Sequence, residues 1–383
     1  MGLLRLYLAL CVVCTHAGPI FPWPFHSGIE AVQIFFMISG FYMQFIMGKY
    51  PTRKAFYTSR FFRIYVPYWV TLAGVILVSI VYGFAINKWI EFYPFQTQLE
   101  KNGDLGVGLT VLTKVTLLGQ EWISGLEHDA GQSLTLLFGP RTSGAPLSSY
   151  LMIPQAWSMS IELLFYLCVP FLVRLRTSTM IIVALTALAL RVFASEVLGW
   201  VNVFWLYRFF PFELYCFLLG MLSCRFYKAT QLDERLKLEL SPKAWLYVVQ
   251  CGVLMGAFCL TSIFADQIAG LIGKRIGLLL SYLMWPFLIA VFFALSRSNK
   301  IDRFIGELSY PVYLVHLIVF YCVLLTAKAI NYPLKPSQNG PLTAIIAIAI
   351  SIVMVKAIIE PLDKYRYRKA QVGIPKAGKS LTL

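Results

Sequence analysis

The first apolar stretch of this sequence carries two polar residues, Arg5 and His16, whose spacing could place them in one site. They are 11 positions apart. That is close to three helical turns, so both lie on nearly one face, roughly 16 Å apart along the axis. A histidine can act as a general base near neutral pH. The alternative is an interfacial histidine and an arginine that only marks topology.

A second pair, Arg60 and Arg63, precedes another apolar stretch. Residues at i and i+3 share a helix face. Two guanidinium groups on that face could bind phosphates through paired hydrogen bonds. The same pair could instead only set topology and anchor lipid phosphates.

A carboxylate, Glu162, stands inside an apolar stretch with Ser158 and Tyr166 at i−4 and i+4 on the same helix face. A carboxylate within a membrane needs a partner or stays protonated, and such residues usually mark function. We predict that Glu162 lies in the half of the membrane that holds His16, at a broadly similar depth. A purely structural role is the alternative.

A further helix face carries Ser309, Tyr313 and His316. These residues could belong to the same site as His16 and Glu162. They could also only pack or form hydrogen bonds between helices, as polar groups in membrane proteins often do.

The elements that must position these residues are membrane spans. Of the 383 residues, 58% are hydrophobic and 13% are charged, and the mean hydropathy is +0.71. Soluble domains carry about a quarter charged residues. Apolar runs of about 20 residues match the length that crosses a bilayer. We predict an all-α membrane protein with about ten transmembrane helices in one bundle. The predicted spans are Leu3–Ile20, Ile29–Met47, Tyr65–Ile86, Ala156–Val173, Met180–Ala194, Phe204–Cys224, Ala244–Phe264, Ile276–Leu295, Leu308–Ala327 and Leu342–Ile359.

The distribution of Lys and Arg predicts the orientation of the bundle. With the N-terminus in the cytoplasm, 22 of the 33 basic residues fall in cytoplasmic segments and 8 in outer ones. Both termini are therefore predicted to be cytoplasmic. The concentration of Lys and Arg in the cytoplasmic segments also explains the net charge of +15 without a nucleic-acid partner. We divide the chain into a membrane domain, residues 1–362, and a basic cytoplasmic tail, residues 363–383, which would lie against the anionic inner leaflet or be disordered.

The long segment Asn87–Gln155 is predicted to lie outside. Its stretch Leu105–Gly119 is moderately apolar but contains glycines and Lys114. We interpret that stretch as re-entrant or interfacial and not as an eleventh span. Although Leu3–Ile20 resembles a signal peptide, many spans follow it, so we expect it to be retained.

The eight cysteines all fall in apolar stretches, where a free cysteine behaves as a small hydrophobic residue. The spacing of Cys11 and Cys14 is typical of a redox or metal motif, but their setting favours packing. We expect neither a metal site nor a disulfide framework.

Five separated motifs, taken in order, resemble the acyltransferase-3 family of integral-membrane O-acyltransferases. They extend over almost the whole chain, from Arg5 to about Pro361. The motifs are Arg5 with His16, the run Phe35–Phe41, Arg60 with Arg63, Trp157 to Glu162, and Ser309 to His316.

This resemblance implies a ten-helix enzyme that takes acyl groups, commonly acetyl from acetyl-CoA. The acceptors would be hydroxyls of surface glycans or lipid-linked sugars. We therefore expect the bilayer, acyl-CoA and a glycan acceptor as partners, no metal, and a place in a bacterial inner membrane. O-acylation of a small secreted metabolite such as an antibiotic is one alternative. A proton-coupled transporter or flippase is another, because intramembrane His, Glu and Arg could form a proton relay, although no inverted repeat is evident.

The resemblance also suggests roles for residues. His16 would be the catalytic base, oriented or charge-stabilised by Glu162, and would deprotonate the acceptor hydroxyl or carry the acyl group briefly. Arg60 and Arg63 would bind the phosphates of CoA on the cytoplasmic side. Arg5 would contact CoA or line its path. Relatives often carry an acid where Gln33 stands, so we assign no acid role there. Further candidate site residues are Ser158, Tyr166, Ser309, Tyr313 and His316.

Single-cysteine labelling tests the orientation. In a cysteine-free background, Lys101→Cys should react with an impermeant thiol reagent in intact cells, and Lys379→Cys should not, because the membrane shields it. Permeabilised cells, in which both sites should react, provide the control. The reverse pattern in intact cells would contradict the predicted topology.

Overall fold

The structure, a computed structural model, describes residues 1–20, 26–87, 105–128, 134–139, 147–232, 249–250, 252–254, 256, 267, 270 and 282–369. Its principal helices are α1 (Gly2–Ala17), α2 (Gly28–Ile46), α3 (Arg53–Ile86), α4 (Leu105–Thr116), α5 (Trp157–Leu172), α6 (Thr177–Glu196), α7 (Phe210–Ala229), α8 (Trp285–Ser296), α9 (Lys300–Ala329), α10 (Pro336–Met354) and α11 (Glu360–Lys369). A π-helical turn, Val355–Ile359, joins α10 to α11.

The remaining described elements are short. One antiparallel pair of strands joins Leu126–His128 to Leu134–Leu136, with Leu126 opposite Leu136. The other elements are the short helices Gln120–Ile123 and Val203–Tyr207 and the 3-10 turns Met47–Lys49, Leu147–Tyr150, Pro154–Ala156 and Tyr282–Met284.

The helices have the length and composition of a membrane bundle. Among the described residues, seven helical segments are long and apolar enough to cross a membrane, and three shorter apolar helices accompany them. Large apolar side chains such as Leu77, Phe84, Ile182 and Val353 are exposed on the outside, where a bilayer would cover them. The chain is an integral, multi-pass, all-α membrane protein. Most of the predicted span Ala244–Phe264 and the first part of Ile276–Leu295 lie outside the described residues.

Two helices begin earlier than their apolar runs predict. Helix α3 begins at Arg53, because the Thr52 side chain accepts a hydrogen bond from the backbone of Ala55 and caps the first turn. Helix α9 begins at Lys300, and the Asn299 side chain caps it in the same way. Hydropathy detects the membrane-embedded part of a helix but not its polar first turns. Both arginines of the Arg60–Arg63 pair therefore lie inside α3.

The helices define two ends of the bundle. Helices α1 and α9 are parallel, because Gly2 lies against Gly306 while His16 lies against His316. We name the two ends the Met1 end and the His16 end. The Met1 end also holds Asp302, which contacts Gly2, and the His16 end also holds Gly28 and Pro336, which contact Thr15 and Gly18. The relative directions match the alternation inferred from sequence, whereas the side of the membrane that each end faces stays a prediction.

Helices α2 and α7 approach closely enough for their backbones to touch. A Cβ atom added at Gly40 would overlap the carbonyl oxygen of Phe217, and one added at Gly220 would overlap that of Met37. Small residues commonly permit such contacts in membranes. Beside this contact the rings of Phe36 and Phe217 stack with centroids 4.6 Å apart.

Helix α4 enters the bundle and does not cross it. Its 12 residues span about 18 Å, less than the roughly 30 Å of a hydrocarbon core. Three side chains near the middle of α3, Tyr65, Tyr68 and Trp69, donate hydrogen bonds to backbone carbonyls of residues 114–116. This contact lies far from either end of α3 and favours the re-entrant alternative over the interfacial one.

A buried charge network joins α2, α6 and α7. Glu213 is 0% exposed, and its carboxylate accepts hydrogen bonds from Arg191 Nη1 at 2.8 Å and from Gln33 Nε2 at 2.9 Å. Arg191 also donates to the hydroxyl of Tyr215. The Gln33 amide thus contacts an acid from another helix, which explains how a neutral residue fits at this position of α2.

Removing the basic member of this network should destabilise the bundle. Arg191→Leu leaves the Glu213 carboxylate buried without its cation, a change that typically costs about 3–5 kcal/mol. We expect a clearly lower midpoint of thermal unfolding in detergent, partly restored by adding Glu213→Gln. Arg174→Leu, at an exposed position, is the matched control and should change little. Equal midpoints for the Arg191→Leu and Arg174→Leu proteins would contradict a stabilising role for the network.

Candidate active site

A cavity of about 120 Å³ lies between α1, α2, α3, α5 and α9. Apolar side chains, including Val32 and Met159, form much of its wall. Its polar lining comes from separate parts of the sequence and includes most of the predicted site residues. These polar residues are Arg5, Ser39, Tyr42, Arg60, Arg63, Ser158, Glu162, Tyr166, Ser309, Tyr310 and Tyr313.

Arg60 is the most enclosed of the cavity's cations. It is 2% exposed, and its Nη2 donates a hydrogen bond to the hydroxyl of Tyr50 at 2.8 Å. Its guanidinium carbon lies 5.8 Å from the ring centres of Phe56 and Tyr166, a favourable cation–π distance. Its Nε is buried and has no hydrogen-bond partner among the described residues. That unused donor gives Arg60 spare capacity for an anionic ligand.

The charge of Arg60 also acts on Tyr50, which lies between α2 and α3. Burial acts to raise the pKa of the Tyr50 hydroxyl, but the guanidinium of Arg60 and the hydrogen bond from Ser59 outweigh burial. The pKa of Tyr50 therefore lies below its ordinary value.

Arg63 and Arg5 complete the basic lining. Arg63 Nη1 lies 3.8 Å from the Glu307 carboxylate, and both side chains are largely buried. Arg5 reaches the cavity from α1. Three guanidinium groups thus share one small cavity with a single carboxylate, that of Glu162. The excess positive charge suits an anionic ligand.

Glu162 belongs to this cavity and forms a link between α2 and α5. Its Oε1 accepts hydrogen bonds from the hydroxyls of Ser39 and Tyr166, each at 2.6 Å. Short hydrogen bonds to a carboxylate are strong. No hydrogen bond in the described part of the chain joins Glu162 to His16.

His16 lies apart from the cavity, at the far end of α1. Its side chain is exposed, and its ring lies 5.3 Å, centroid to centroid, from the ring of His316. His316 is 0% exposed, and its Nδ1 is 2.8 Å from the backbone carbonyl oxygen of Tyr313. His16 is thus exposed in this structure, although it stands beside a buried histidine.

The expected common depth of His16 and Glu162 is wrong, and the reason lies in the segment before α5. Residues 147–156 are themselves mostly buried, and Gln155 donates a hydrogen bond to the carbonyl oxygen of Leu314 in α9 at 2.7 Å. Helix α5 therefore begins below the His16 end. Glu162 consequently reaches the level of the arginines.

A chain of polar contacts connects the cavity to the histidines. The hydroxyl of Tyr313 donates to the carbonyl oxygen of Gln155 at 2.7 Å, so it accepts from the hydroxyl of Ser158, also at 2.7 Å. Both hydroxyls line the cavity. Three residues further along α9, His316 contacts His16.

Several site residues were not found from sequence. Ser39 lies inside the motif run Phe35–Phe41, which could have signalled it. Tyr310 likewise lies inside the motif Ser309 to His316, whereas Tyr50 and Gln155 carry no such signal, since an isolated Tyr or Gln near an apolar run is common. Ser309 is buried and lines the cavity, but its hydroxyl donates to the carbonyl oxygen of Gly306. Within the described residues no group of three or more His, Cys, Asp or Glu could hold a metal ion.

Comparisons with known proteins agree with the motifs. The sequence model of the acyltransferase-3 family, described as an acyltransferase domain, matches residues 1–359. No protein of curated function and no solved structure shows significant similarity to the chain.

Proposed function

Because the chain belongs to the acyltransferase-3 family and is a membrane acyltransferase, we propose that it transfers an acyl group, acetyl by preference, from acyl-CoA to a sugar hydroxyl. The acceptor is a cell-surface or exported glycan or its lipid-linked precursor. One observation supports this best. A cavity lined by three arginines and buried hydroxyls includes Tyr313, whose backbone carbonyl contacts His316, the neighbour of His16 at the opposite end of the bundle.

The arginines bind the donor. CoA carries several phosphate charges, and guanidinium groups bind phosphate in a planar, two-point geometry. Arg60 and Arg63 hold these phosphates at the Met1 end, and Arg5 lines the path from there towards His16. In a bacterial inner membrane with the Met1 end facing the cytoplasm, cytoplasmic acyl-CoA reaches this end directly.

The chemistry takes place at the His16 end. His16 removes the proton from the acceptor hydroxyl as its oxygen attacks the thioester carbonyl carbon. The tetrahedral intermediate then collapses, the carbon–sulfur bond breaks, and the CoA thiolate takes the proton from the imidazolium. Donor and acceptor thus approach from opposite ends, which suits modification of a glycan outside the membrane with an acyl group made inside.

Glu162 has a different place in this mechanism from the one its sequence position suggests. Its carboxylate lies among the arginines and accepts from Ser39 and Tyr166. It therefore orders the donor cavity and offsets part of its positive charge. It makes no hydrogen bond to His16 in the described part of the chain, so any effect on His16 is indirect.

Donor binding gives the first test. Arg63→Ala should weaken acyl-CoA binding about 10- to 100-fold, because a hydrogen bond to a charged group contributes about 1.5–3 kcal/mol. Arg63→Lys should restore binding only in part, since Lys lacks the two-point geometry. Calorimetry on purified protein measures both, with Arg174→Ala as an exposed control. Wild-type affinity in Arg60→Ala and Arg63→Ala would show that these residues only anchor the helix.

Turnover gives the second test. His16→Ala should bind acyl-CoA normally but lose about 10²–10⁴-fold in rate, the usual contribution of a general base. Arg5→Ala should instead raise the apparent KM for acyl-CoA. The readout is CoA release per mole of CoA-competent protein, together with mass spectrometry of surface glycans from cells with each variant.

These measurements also separate the classes of function. Near-normal turnover by His16→Ala would remove His16 as the base. Glycans with unchanged mass in cells with and without the wild-type protein would count against a glycan acceptor. A wild-type protein that moves a solute without consuming acyl-CoA would favour a transporter.

A further inference from the structure

We propose that His316 is a positioning residue for His16, and that its Nε2 accepts a hydrogen bond from the ring N–H of His16. This contact fixes the tautomer of His16 in which the other ring nitrogen is free to take the proton of the acceptor. The inference rests on the proposed function for its catalytic meaning, but the hydrogen bond itself can be tested separately.

The tautomer of His316 follows from its backbone contact. The Nδ1 atom lies 2.8 Å from the carbonyl oxygen of Tyr313, and a carbonyl oxygen can only accept a hydrogen bond. Nδ1 must therefore carry a proton. In a neutral ring the lone pair is then on Nε2. A backbone carbonyl commonly sets the tautomer of a functional histidine in this way.

This lone pair has no partner in the described part of the chain. His316 is 0% exposed, and its Nε2 is buried without a hydrogen bond. Leaving a buried acceptor unsatisfied costs about 1–3 kcal/mol. Such an atom in a folded protein calls for an explanation, often a functional one.

His16 is the neighbour that can satisfy it. The ring centroids of His16 and His316 are 5.3 Å apart. At that separation, rotation of the His16 ring can bring one of its nitrogens to about 3 Å from Nε2, an ordinary hydrogen-bond length. The other nitrogen of His16 then points away from His316.

The difference in burial indicates which histidine acts as the base and which one orients it. His16 is exposed at the end of α1, where an acceptor hydroxyl can reach it. His316 lies behind it, and its Nε2 is closed to a substrate. An accessible base oriented by a buried partner is a recurring arrangement in acyl transfer. Here a neutral histidine, held by the Tyr313 carbonyl, takes the place that a carboxylate often occupies.

Nitrogen NMR on ¹⁵N-histidine-labelled protein tests the hydrogen bond directly. The sequence has four histidines, His16, His26, His128 and His316, so each signal can be assigned by single substitution. At a pH where His16 is neutral, the wild-type protein should show one His16 tautomer. His316→Leu should show a mixture of both, whereas His26→Leu, which removes another buried histidine near this end, should not. The same tautomer population for His16 in the wild type and in His316→Leu would overturn the proposal.

Conservative variants test the catalytic consequence. The side chain of Gln can place its amide oxygen near the position of Nε2, whereas the shorter Asn side chain reaches only the position of Nδ1. His316→Gln should therefore keep most of the kcat, while His316→Asn should lose about 10–100-fold, as is common when a group that orients a functional histidine is removed. The KM for acyl-CoA should be unchanged in both. Equal kcat for the Gln and Asn variants would overturn the positioning role.

The two experiments separate this inference from the proposed function. If wild-type protein transfers no acyl group to a glycan while His16 keeps a single, His316-dependent tautomer, the hydrogen bond stands and the proposed function fails. If acyl transfer requires His16 but the tautomer of His16 is the same in the wild type and in His316→Leu, the proposed function stands and this inference fails.

Discussion

The packing of α1 against α9 is the contact on which the site depends. At one end the carboxylate of Asp302 accepts hydrogen bonds from the backbone N–H groups of Gly2 and Leu3, which caps the first turn of α1. At the other end His16 meets His316. Gly2 and Asp302 are 300 positions apart in the sequence, and so are His16 and His316. The two helices therefore run in one register with no slip between the cap and the histidines.

This register explains how a donor cavity and a base can belong to one mechanism. A one-residue slip of α1 would turn its side chains by about 100°, which would remove Arg5 from the cavity or His16 from His316. The buried carboxylate of Asp302 resists such a slip because its two backbone partners would be lost together. A buried acceptor without partners is costly in an apolar interior.

Two acidic side chains of the bundle, Glu213 and Glu162, differ in their surroundings, and of these two only Glu162 lines the cavity. Glu213 has Arg191 as a direct counter-ion and does not line the cavity, so its charge is compensated inside the protein. Glu162 lines the cavity, and its hydrogen-bond donors among the described residues are the neutral hydroxyls of Ser39 and Tyr166. Of the arginines that line the cavity with it, Arg63 faces the Glu307 carboxylate, and Arg60 has a buried Nε with no hydrogen-bond partner in the described part of the chain. This difference distinguishes a charge that holds helices together from a charge that shapes a binding site.

Much of this protein could be predicted from its sequence, because the governing forces are local. The length of each apolar run follows from bilayer thickness, so the membrane bundle was evident. The motifs pointed to the acyltransferase family, and helical spacing correctly grouped Arg60 with Arg63 and Ser158 with Glu162. In contrast, the sequence did not decide whether Leu105–Gly119 is re-entrant or interfacial.

Only the tertiary structure decided which side chains meet. Helical periodicity defines a face but neither the neighbour of that face nor the height at which a helix begins. The depth of Glu162 depends on the buried segment 147–156, which has no apolar pattern of a span, and on the Gln155 contact with α9. Likewise, the contact of His16 with His316 depends on a cap at Asp302, about 20 Å away along the helix. Sequence spacing cannot encode such contacts because they are set by the packing of helices that are remote in the chain.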